Sequence, residues 1–168
     1  MSFSMYQAAI PALLQTLNAT SKILSKAEAE AAPRKIDPAV LLGYRLAPDM
    51  FNLTRQVQLV TDFAKGTVAR LAGQEVPKYE DTEKSIPELK ARIAKTIAYV
   101  QSFKPASLDG SETRDVTIPV AGKPTVFKGQ DYLANVALPN FYFHATAAYA
   151  ILRHCGVQIG KGDFLNRN

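Results

Sequence analysis

Apolar residues recur with helical spacing along most of the chain, and the first such stretch covers residues 4–32. They follow the i, i+3, i+4, i+7 spacing that places one side of an α-helix against a core. They are Ile10, Leu13, Leu14, Leu17 and Leu24. The spacing predicts one long amphipathic helix. Pro33 ends it, because proline lacks the amide hydrogen that would continue a helix.

The same spacing predicts two further helices. The second begins near Met50, where the Asp49 side chain can accept hydrogen bonds from free helix amides, and it ends at Gly73. Its apolar row is Met50, Leu53, Val57, Val60, Ala64 and Leu71. The third helix runs from Ile86 to about Phe103, and the polar segment between the two helices is predicted to be a loop.

The pattern changes after the third helix and then returns to a helical one. Residues 115–119 and 124–128 are rich in β-formers and flank Ala121, Gly122 and Lys123, which predicts a small β-hairpin. A fourth helix is predicted over residues 130–154, with Gly156 as its left-handed cap.

Four long helices and one hairpin in 168 residues predict a mainly α fold, a four-helix bundle with the hairpin between the third and fourth helices. A chain of this length is expected to form a single domain over residues 1–168. The connections after the second and third helices are long enough to cross the bundle, so a simple up-down-up-down order does not follow.

Composition narrows the classes of protein. With 47% hydrophobic and 21% charged residues, the chain has the composition of a folded globular protein and not of a disordered or membrane protein. The net charge of +5 comes from Lys and Arg residues that are scattered along the chain, so neither nucleic acid nor a membrane is expected as a partner.

Cys155 has no second cysteine to pair with, and the N-terminus lacks the features of a signal peptide, so the expected location is the cytoplasm.

No phosphate loop, dinucleotide fingerprint, nucleophile elbow or paired-cysteine motif occurs in the sequence. Both histidines and the single cysteine lie in one stretch, LPNFYFHATAAYAILRHCG. At its end, His154 suits a cationic partner of the helix C-terminus, while the same dipole disfavours a thiolate at Cys155.

Polar residues on the second and fourth helices are the candidate functional groups. Asn140 and His144 are one helical turn apart and share a face. Gln58, Asp62 and Lys65 project from neighbouring positions of the second helix. This row either forms a surface with an Asp62–Lys65 ion pair or lines a cleft that faces the fourth helix. In the cleft, His144 could act as a general base with Asp62 as its orienting carboxylate, which makes both candidate catalytic residues.

Three separated motifs resemble a domain-of-unknown-function family within the DinB/YfiT-like superfamily of four-helix bundles. They are RLAPDMFNLTRQVQLVTDFAKG, GQDYL and PNFYFHATAAYAILRHCG, and the resemblance covers nearly the whole chain. Members of that superfamily often hold a divalent metal with three histidines, one on the second helix and two spaced i, i+4 on the last. Some are thiol-dependent transferases or hydrolases, and many are dimers.

The resemblance places the three ligand positions on residues of this chain. His144 falls on the second of the paired histidines and Asn140 on the first, while the second-helix ligand falls at Gln58, or at Gln56 if the register slips. His144 is thus the only retained ligand position. Neutral amide oxygens are weak donors to zinc or nickel, so no metal cofactor is expected, although either metal stays possible.

These observations leave two functions open. One is a bundle that binds a small molecule in a polar cleft between the second and fourth helices, with Gln58, Asp62, Asn140 and His144 as ligand-binding residues. The alternative is a divalent-metal-dependent transferase or hydrolase with an altered ligand set. A homodimer is expected from the superfamily and from clustered aromatics that cannot all face one core. These aromatics are Phe141, Tyr142 and Phe143.

Overall fold

The computed structural model describes residues 3–167 and contains the predicted four long helices and the hairpin. The first half of the chain forms α1 (Met5–Ala31), α2 (Pro38–Gly43), α3 (Leu53–Leu71) and α4 (Ile86–Gln101). After α4 come a 3₁₀ turn (Pro105–Leu108), β1 (Asp115–Val120) and β2 (Lys123–Lys128). The last part forms α5 (Gly129–Tyr132), a π-helical turn (Leu133–Ala137), α6 (Leu138–His154) and α7 (Lys161–Phe164).

Side-chain caps fix where three of the long helices begin. Ser4, Asn52 and Ser85 each accept a hydrogen bond from a backbone amide in the first turn of α1, α3 and α4. The prediction that Asp49 caps the second helix was therefore wrong by three residues. Residues 49–52 form a turn and an extended segment, and the Asn52 side chain accepts from the Arg55 amide at 3.0 Å.

The fourth long helix is continuous but contains a wider turn that the sequence pattern does not predict. The Leu138 amide donates to the Leu133 carbonyl, five residues back, where an α-helix would use the residue four back. Pro139 lies immediately after this turn. Because proline lacks an amide hydrogen and its ring crowds the carbonyl four residues earlier, the wider turn admits it without breaking the helix.

The core lies between the four long helices. α3 packs most extensively against α6 and α4, and α1 packs most extensively against α4. Buried aliphatic and aromatic side chains from all four join in one cluster, including Leu13, Val57, Ile93 and Phe141. The central position of α3 explains why its polar residues meet two different neighbours. None of the helices within residues 3–167 is long and apolar enough to cross a membrane.

The hairpin covers one end of the α3–α6 face. Its strands are antiparallel, from Asp115 opposite Lys128 to Val120 opposite Lys123. Ala121 and Gly122 form the two-residue turn with φ of 48° and 79°, the left-handed geometry of a type I′ turn. On the inner face, Val116 is buried, and Ile118 and Phe127 pack against the core cluster.

Candidate functional site

Two rows of side chains face each other across the α3–α6 interface. On α3, Gln56, Phe63 and Arg70 recur every seven residues and therefore share one face. His144 of α6 contacts Gln56 and Phe63, while Tyr132, twelve residues earlier, contacts Arg70. The helices are thus antiparallel, and the two rows contact each other across the interface.

Gln56 and His144 form the polar pair at one end of the rows. Nδ1 of His144 lies 2.8 Å from Oε1 of Gln56, whose amide nitrogen donates to the Phe51 carbonyl at 3.3 Å. Because Oε1 can only accept, Nδ1 must carry the hydrogen, and the neutral imidazole has its free lone pair on Nε2. Phe63 stacks on the His144 ring, and Phe143 meets it edge-on, with centroid distances of 5.5 and 5.2 Å.

The surroundings of His144 favour its neutral form. Burial lowers the pKa of His144 below its ordinary value of 6.5, and the positive charge of Arg55 lowers it further. His144 is therefore a neutral hydrogen-bonding group at physiological pH, and within residues 3–167 its Nε2 has no hydrogen-bond partner. Such an atom can accept a hydrogen bond or a proton from a bound molecule.

The structure turns Gln58 and Asp62 away from His144. Gln58 donates to Glu83 at 2.9 Å and accepts from Arg55 at 3.3 Å. Asp62 pairs with Arg92 at 2.9 Å and with Lys65 at 2.8 Å. Residues two apart on a helix differ by about 200° in direction, so Gln56 faces α6 while Gln58 faces α4. The histidine's partner on α3 is thus Gln56, the slipped-register alternative, and neither Gln58 nor Asp62.

Gln58 and Asp62 instead belong to a charged network around Arg92. The Arg92 guanidinium is almost fully buried and pairs with Asp62, Asp81 and Glu83 at 2.9 to 3.0 Å. Burial alone would raise the pKa of Glu83, but the hydrogen bonds from Gln58 and Arg92 outweigh it and hold that pKa below its usual value. The network fastens the 74–85 loop to α3 and α4. Removing one partner of a buried ion pair typically costs about 3–5 kcal/mol, so these contacts are structural.

Asn140 lies one turn before His144 on the fourth long helix. Its side-chain amide donates to the Val136 carbonyl at 2.8 Å, within its own helix. This bond leaves the side-chain oxygen as an acceptor. Of the four predicted ligand-binding residues, Asn140 and His144 therefore lie on the α3–α6 face, and Gln58 and Asp62 do not.

A cavity of about 450 Å³ opens between α3, the π-helical turn and the hairpin. Its apolar lining includes Phe63, Ile118, Val120, Phe127 and Val136. Its polar lining is Arg70, Tyr132, Asn135 and Asn140. A mostly apolar cavity with a few convergent polar groups is the usual form of a small-molecule site. The cavity is referred to below as the hairpin cleft.

Arg70 supplies the positive charge of the hairpin cleft. Its Nη1 donates to the Tyr132 hydroxyl at 3.2 Å, and its guanidinium carbon lies 6.0 Å from the centre of the Tyr132 ring. A Cβ at Gly66 would collide with Nη1 of Arg70, so the glycine makes room for the guanidinium to lie against its own helix. A glycine inside a helix costs about 0.5–1 kcal/mol relative to alanine, and here it leaves the space that the Arg70 guanidinium occupies.

A second cavity, of about 530 Å³, lies beside the Arg92 network. Its walls include Tyr79, Glu83, Arg92 and Lys95. Arg92 and Glu83 already neutralise each other, and the Lys95 ammonium already lies 4.1 Å from the centre of the Tyr79 ring. A ligand would have to compete with these contacts. The hairpin cleft is the better candidate because its guanidinium lacks an acidic partner among the residues that the structure describes.

The resemblance to the DinB/YfiT-like superfamily implies ligand positions at Asn140, His144 and Gln58, or Gln56 in the slipped register, and the side chain that contacts His144 is Gln56. Oε1 of Gln56 is hydrogen-bonded to Nδ1 of His144, and the amide of Asn140 is bonded to its own helix. One imidazole and two neutral amides are a poor donor set for zinc or nickel. Within residues 3–167, no group of three or more His, Cys, Asp or Glu side chains has the arrangement to hold a metal ion. The residues present do not fit that metal.

The last turn of α6 holds the remaining candidate groups. Nε2 of His154 lies 3.1 Å from the Tyr44 hydroxyl on the surface. Burial raises the pKa of the Cys155 thiol, although the nearby Arg34 opposes that shift. Neither group reaches the hairpin cleft.

The comparisons with known proteins agree with this architecture. Residues 5–165 match the family described as "Domain of unknown function (DUF1993)". The chain belongs to this family. It is also 41% identical to a DinB family member protein from Shewanella denitrificans, whose crystal structure superposes with a TM-score of 0.91 over 96% of this chain and 91% of that chain. No curated protein shows significant similarity to the chain.

The DUF1993 chain contains functional candidates that sequence reasoning missed. Phe63, Arg70 and Tyr132 line the hairpin cleft but were not singled out from the sequence. The seven-residue spacing of Gln56, Phe63 and Arg70 was a usable signal, since it places all three on one helix face. Tyr132 lies in the GQDYL motif, whose glycine approaches the Ser111 carbonyl so closely that a Cβ would collide with it.

Proposed function

We propose that this protein binds a small molecule in the hairpin cleft, between α3 and the fourth long helix, without a complete three-histidine metal site. The observation that carries the proposal is a cavity of about 450 Å³ with apolar walls and an arginine that lacks an acidic partner within residues 3–167. Its volume lies in the range of about 300–1,000 Å³ that small-molecule sites occupy.

The proposed ligand lies with its apolar part on Phe63, Ile118 and Phe127. Asn140 offers a hydrogen-bond acceptor on the cleft wall. His144 stacks on the Phe63 ring, so it holds that wall in place and adds an unprotonated Nε2 next to it. In this proposal Asn140 and His144 keep the ligand-binding role predicted from the sequence. Gln58 and Asp62 act indirectly, by anchoring α4 and its loop to α3.

The alternative is a divalent-metal-dependent transferase or hydrolase with an altered ligand set. The two functions differ in metal content, which elemental analysis measures on protein purified without an affinity tag. We expect zinc and nickel well below one ion per chain, because the amide-substituted ligand set binds them weakly. About one ion per chain, lost on replacing His144 by Ala, would favour the alternative.

Binding in the hairpin cleft is tested with an uncharged aromatic probe, 2-naphthylmethanol, followed by ¹H–¹⁵N NMR. We expect saturable shifts of amides near Phe63, Val136 and Asn140. Val136→Trp fills the cleft and should abolish them. Ala91→Trp places the same side chain at the 530 Å³ cavity and should leave them unchanged.

A different pattern of shifts would refute the proposed site. Saturable shifts that persist in Val136→Trp, or that vanish in Ala91→Trp, would place the binding elsewhere on the molecule. Dispersed amide spectra of both variants, recorded first, establish that the bundle remains folded.

A further inference from the structure

We infer that the hairpin cleft selects an amphipathic carboxylate, with the carboxylate bound by Arg70 and Tyr132 and the apolar body on the aromatic wall. This inference rests on the proposed function and specifies its ligand class. It follows from the remaining N–H groups of Arg70 and the hydroxyl hydrogen of Tyr132, which have no acceptor within residues 3–167.

Arg70 is the first of these donors. A guanidinium has five N–H groups, and the only side-chain hydrogen bond of Arg70 to residues 3–167 uses one of them, to the Tyr132 hydroxyl. Arg70 forms no ion pair with any acidic side chain in that range. The buried Arg92, by contrast, has three carboxylates within 3.0 Å. The contrast marks Arg70 as a cation available to an external anion.

Tyr132 is the second donor. The residue is 1% exposed, and its hydroxyl oxygen accepts the Arg70 N–H, which leaves the hydroxyl hydrogen to be donated. That hydrogen has no acceptor among the residues that the structure describes. A guanidinium and a hydroxyl side by side match the two oxygens of a carboxylate, which accepts charge-assisted bonds from such pairs.

Gly66 leaves the space that the guanidinium occupies. The three heavy atoms nearest to a Cβ placed at this position all belong to the Arg70 side chain. The absence of a side chain at Gly66 therefore permits this position of Arg70. Because Arg70 lies against its own helix and against the Tyr132 ring, its donors are held in place before a ligand arrives, which reduces the entropy lost on binding.

The charge of the cleft favours one negative charge on the ligand. Among the described residues, Arg70 is the only charged one that lines the cleft, and the remaining lining is apolar or neutral and polar. A carboxylate is neutralised by one guanidinium, whereas a phosphate monoester carries close to two charges at neutral pH. Tyr132 and Asn140 are eight residues apart, about 12 Å along a helix, which leaves room for an apolar body beyond the carboxylate.

The experiment compares three probes that share one ring system: 2-naphthoate, 2-naphthylmethanol and 2-naphthyl phosphate. Isothermal titration calorimetry on the full chain measures each affinity. We expect 2-naphthoate to bind at least about tenfold more tightly than the alcohol, as a charge-assisted bond to Arg70 requires. Arg70→Met should remove this preference and leave the affinity for the alcohol within about twofold.

Gly66→Ala gives a second, independent variant. The added methyl displaces the Arg70 guanidinium, so the preference for the carboxylate should fall by about tenfold, as for Arg70→Met. Alanine is the better helix former, so the thermal midpoint should be unchanged or raised, which separates this loss from unfolding. Arg45→Met removes an exposed arginine remote from the cleft and serves as the control, with no change expected.

The outcomes separate the two proposals. If the alcohol and 2-naphthoate bind equally well in the wild type, or if Arg70→Met keeps the preference, the carboxylate inference is overturned while the cleft remains a binding site. Tighter binding of 2-naphthyl phosphate than of 2-naphthoate also overturns it. If none of the three probes binds, the proposed function itself fails.

Discussion

His144 shows how a single residue's chemistry depends on the helix face opposite it. Its Nδ1–H donates to Gln56, and burial together with Arg55 holds its pKa below the ordinary value of 6.5. The folded protein therefore binds a proton at His144 less readily than the unfolded chain does. The stability contributed by this residue is complete above pH 6.5 and declines as the pH falls from there toward the pKa of the folded state.

Gln56→Glu tests this environment directly. A carboxylate in place of the amide would lie beside the imidazole and favour its charged form, so the pKa of His144 should rise. The stability lost between neutral and mildly acidic pH should shrink correspondingly. NMR titration of the His144 ring protons measures the pKa, and urea unfolding at several pH values measures the stability.

Gln58→Glu is the matched control for that experiment. It adds the same charge two residues away, on the face of α3 toward α4. The pKa of His144 should move much less in this variant. Equal shifts in both variants would contradict the assignment of Gln56 as the histidine's partner.

At the scale of elements, the pairing of α3 with α6 decides which polar residues meet. The contacts from Gln56–His144 to Arg70–Tyr132 fix the register over three turns of each helix or more. The same register places Gln56 opposite His144, and Asn140 lies one turn before His144 on the fourth long helix. We therefore expect histidines at these two positions to lie near His144.

The double substitution Gln56→His and Asn140→His should create a three-imidazole site with His144. We expect it to bind zinc or nickel more tightly than the amide-substituted wild-type set does. At a metal concentration of 100 times Kd, binding should stabilise the fold by about 2.7 kcal/mol. Thermal unfolding with and without added metal gives this value, and elemental analysis after dialysis gives the stoichiometry.

Gln58→His with Asn140→His is the control pair. Residue 58 faces α4, so this variant carries the same number of histidines without a third ligand near His144. It should gain no comparable metal-dependent stability. Tighter binding in this pair than in the Gln56 pair would show that the α3–α6 register is incorrect.

At the scale of the whole molecule, exposed aromatic side chains lie together on one part of the surface. Phe51 and Phe143 are 55% and 58% exposed, and both lie beside the Gln56–His144 pair. Tyr142 is 38% exposed close by, whereas Phe141 is fully buried. We propose that this aromatic surface forms the interface of a homodimer, since aromatics are enriched in the centres of such interfaces.

Light scattering measures the assembly. We expect the wild type to have the mass of a dimer, and Phe143→Glu to shift it to the monomer because a charge would be buried at the interface. Val126→Glu is the control, because Val126 is 59% exposed on the hairpin, away from this surface. A monomeric wild type at high protein concentration would refute the proposal.

The helices, the hairpin and the fold class could be predicted from the sequence because they depend on local spacing. The rows of apolar residues in α1, α3 and α4 specify which face of each helix is buried, whatever that face later meets. Gly122 and Gly156 adopt positive φ at the hairpin turn and at the end of α6. Both therefore indicated where an element ends.

Fine positions along each element were less predictable. Asn52 caps α3 although Asp49 has a side chain that can also cap a helix. The capping residue is decided by where the preceding turn ends and the helical backbone begins. The π-helical turn before Pro139 likewise depends on how the fourth helix packs on both sides of that residue.

The site required the tertiary structure, because contacts between helices depend on their rotation as well as on their spacing. The sequence identified Asn140 and His144 as one face, but a two-residue difference decided whether Gln56 or Gln58 lay opposite. The sequence could not show that Arg92 would form an ion pair with Asp62, since the two residues are 30 positions apart in the chain. Whether Arg70 has an acidic partner also depends on where the acidic residues of the rest of the chain lie in the folded structure. Local periodicity determined the helices and their buried faces, and only the packing of α3 between α4 and α6 decided which polar groups were paired and which remained available to a ligand.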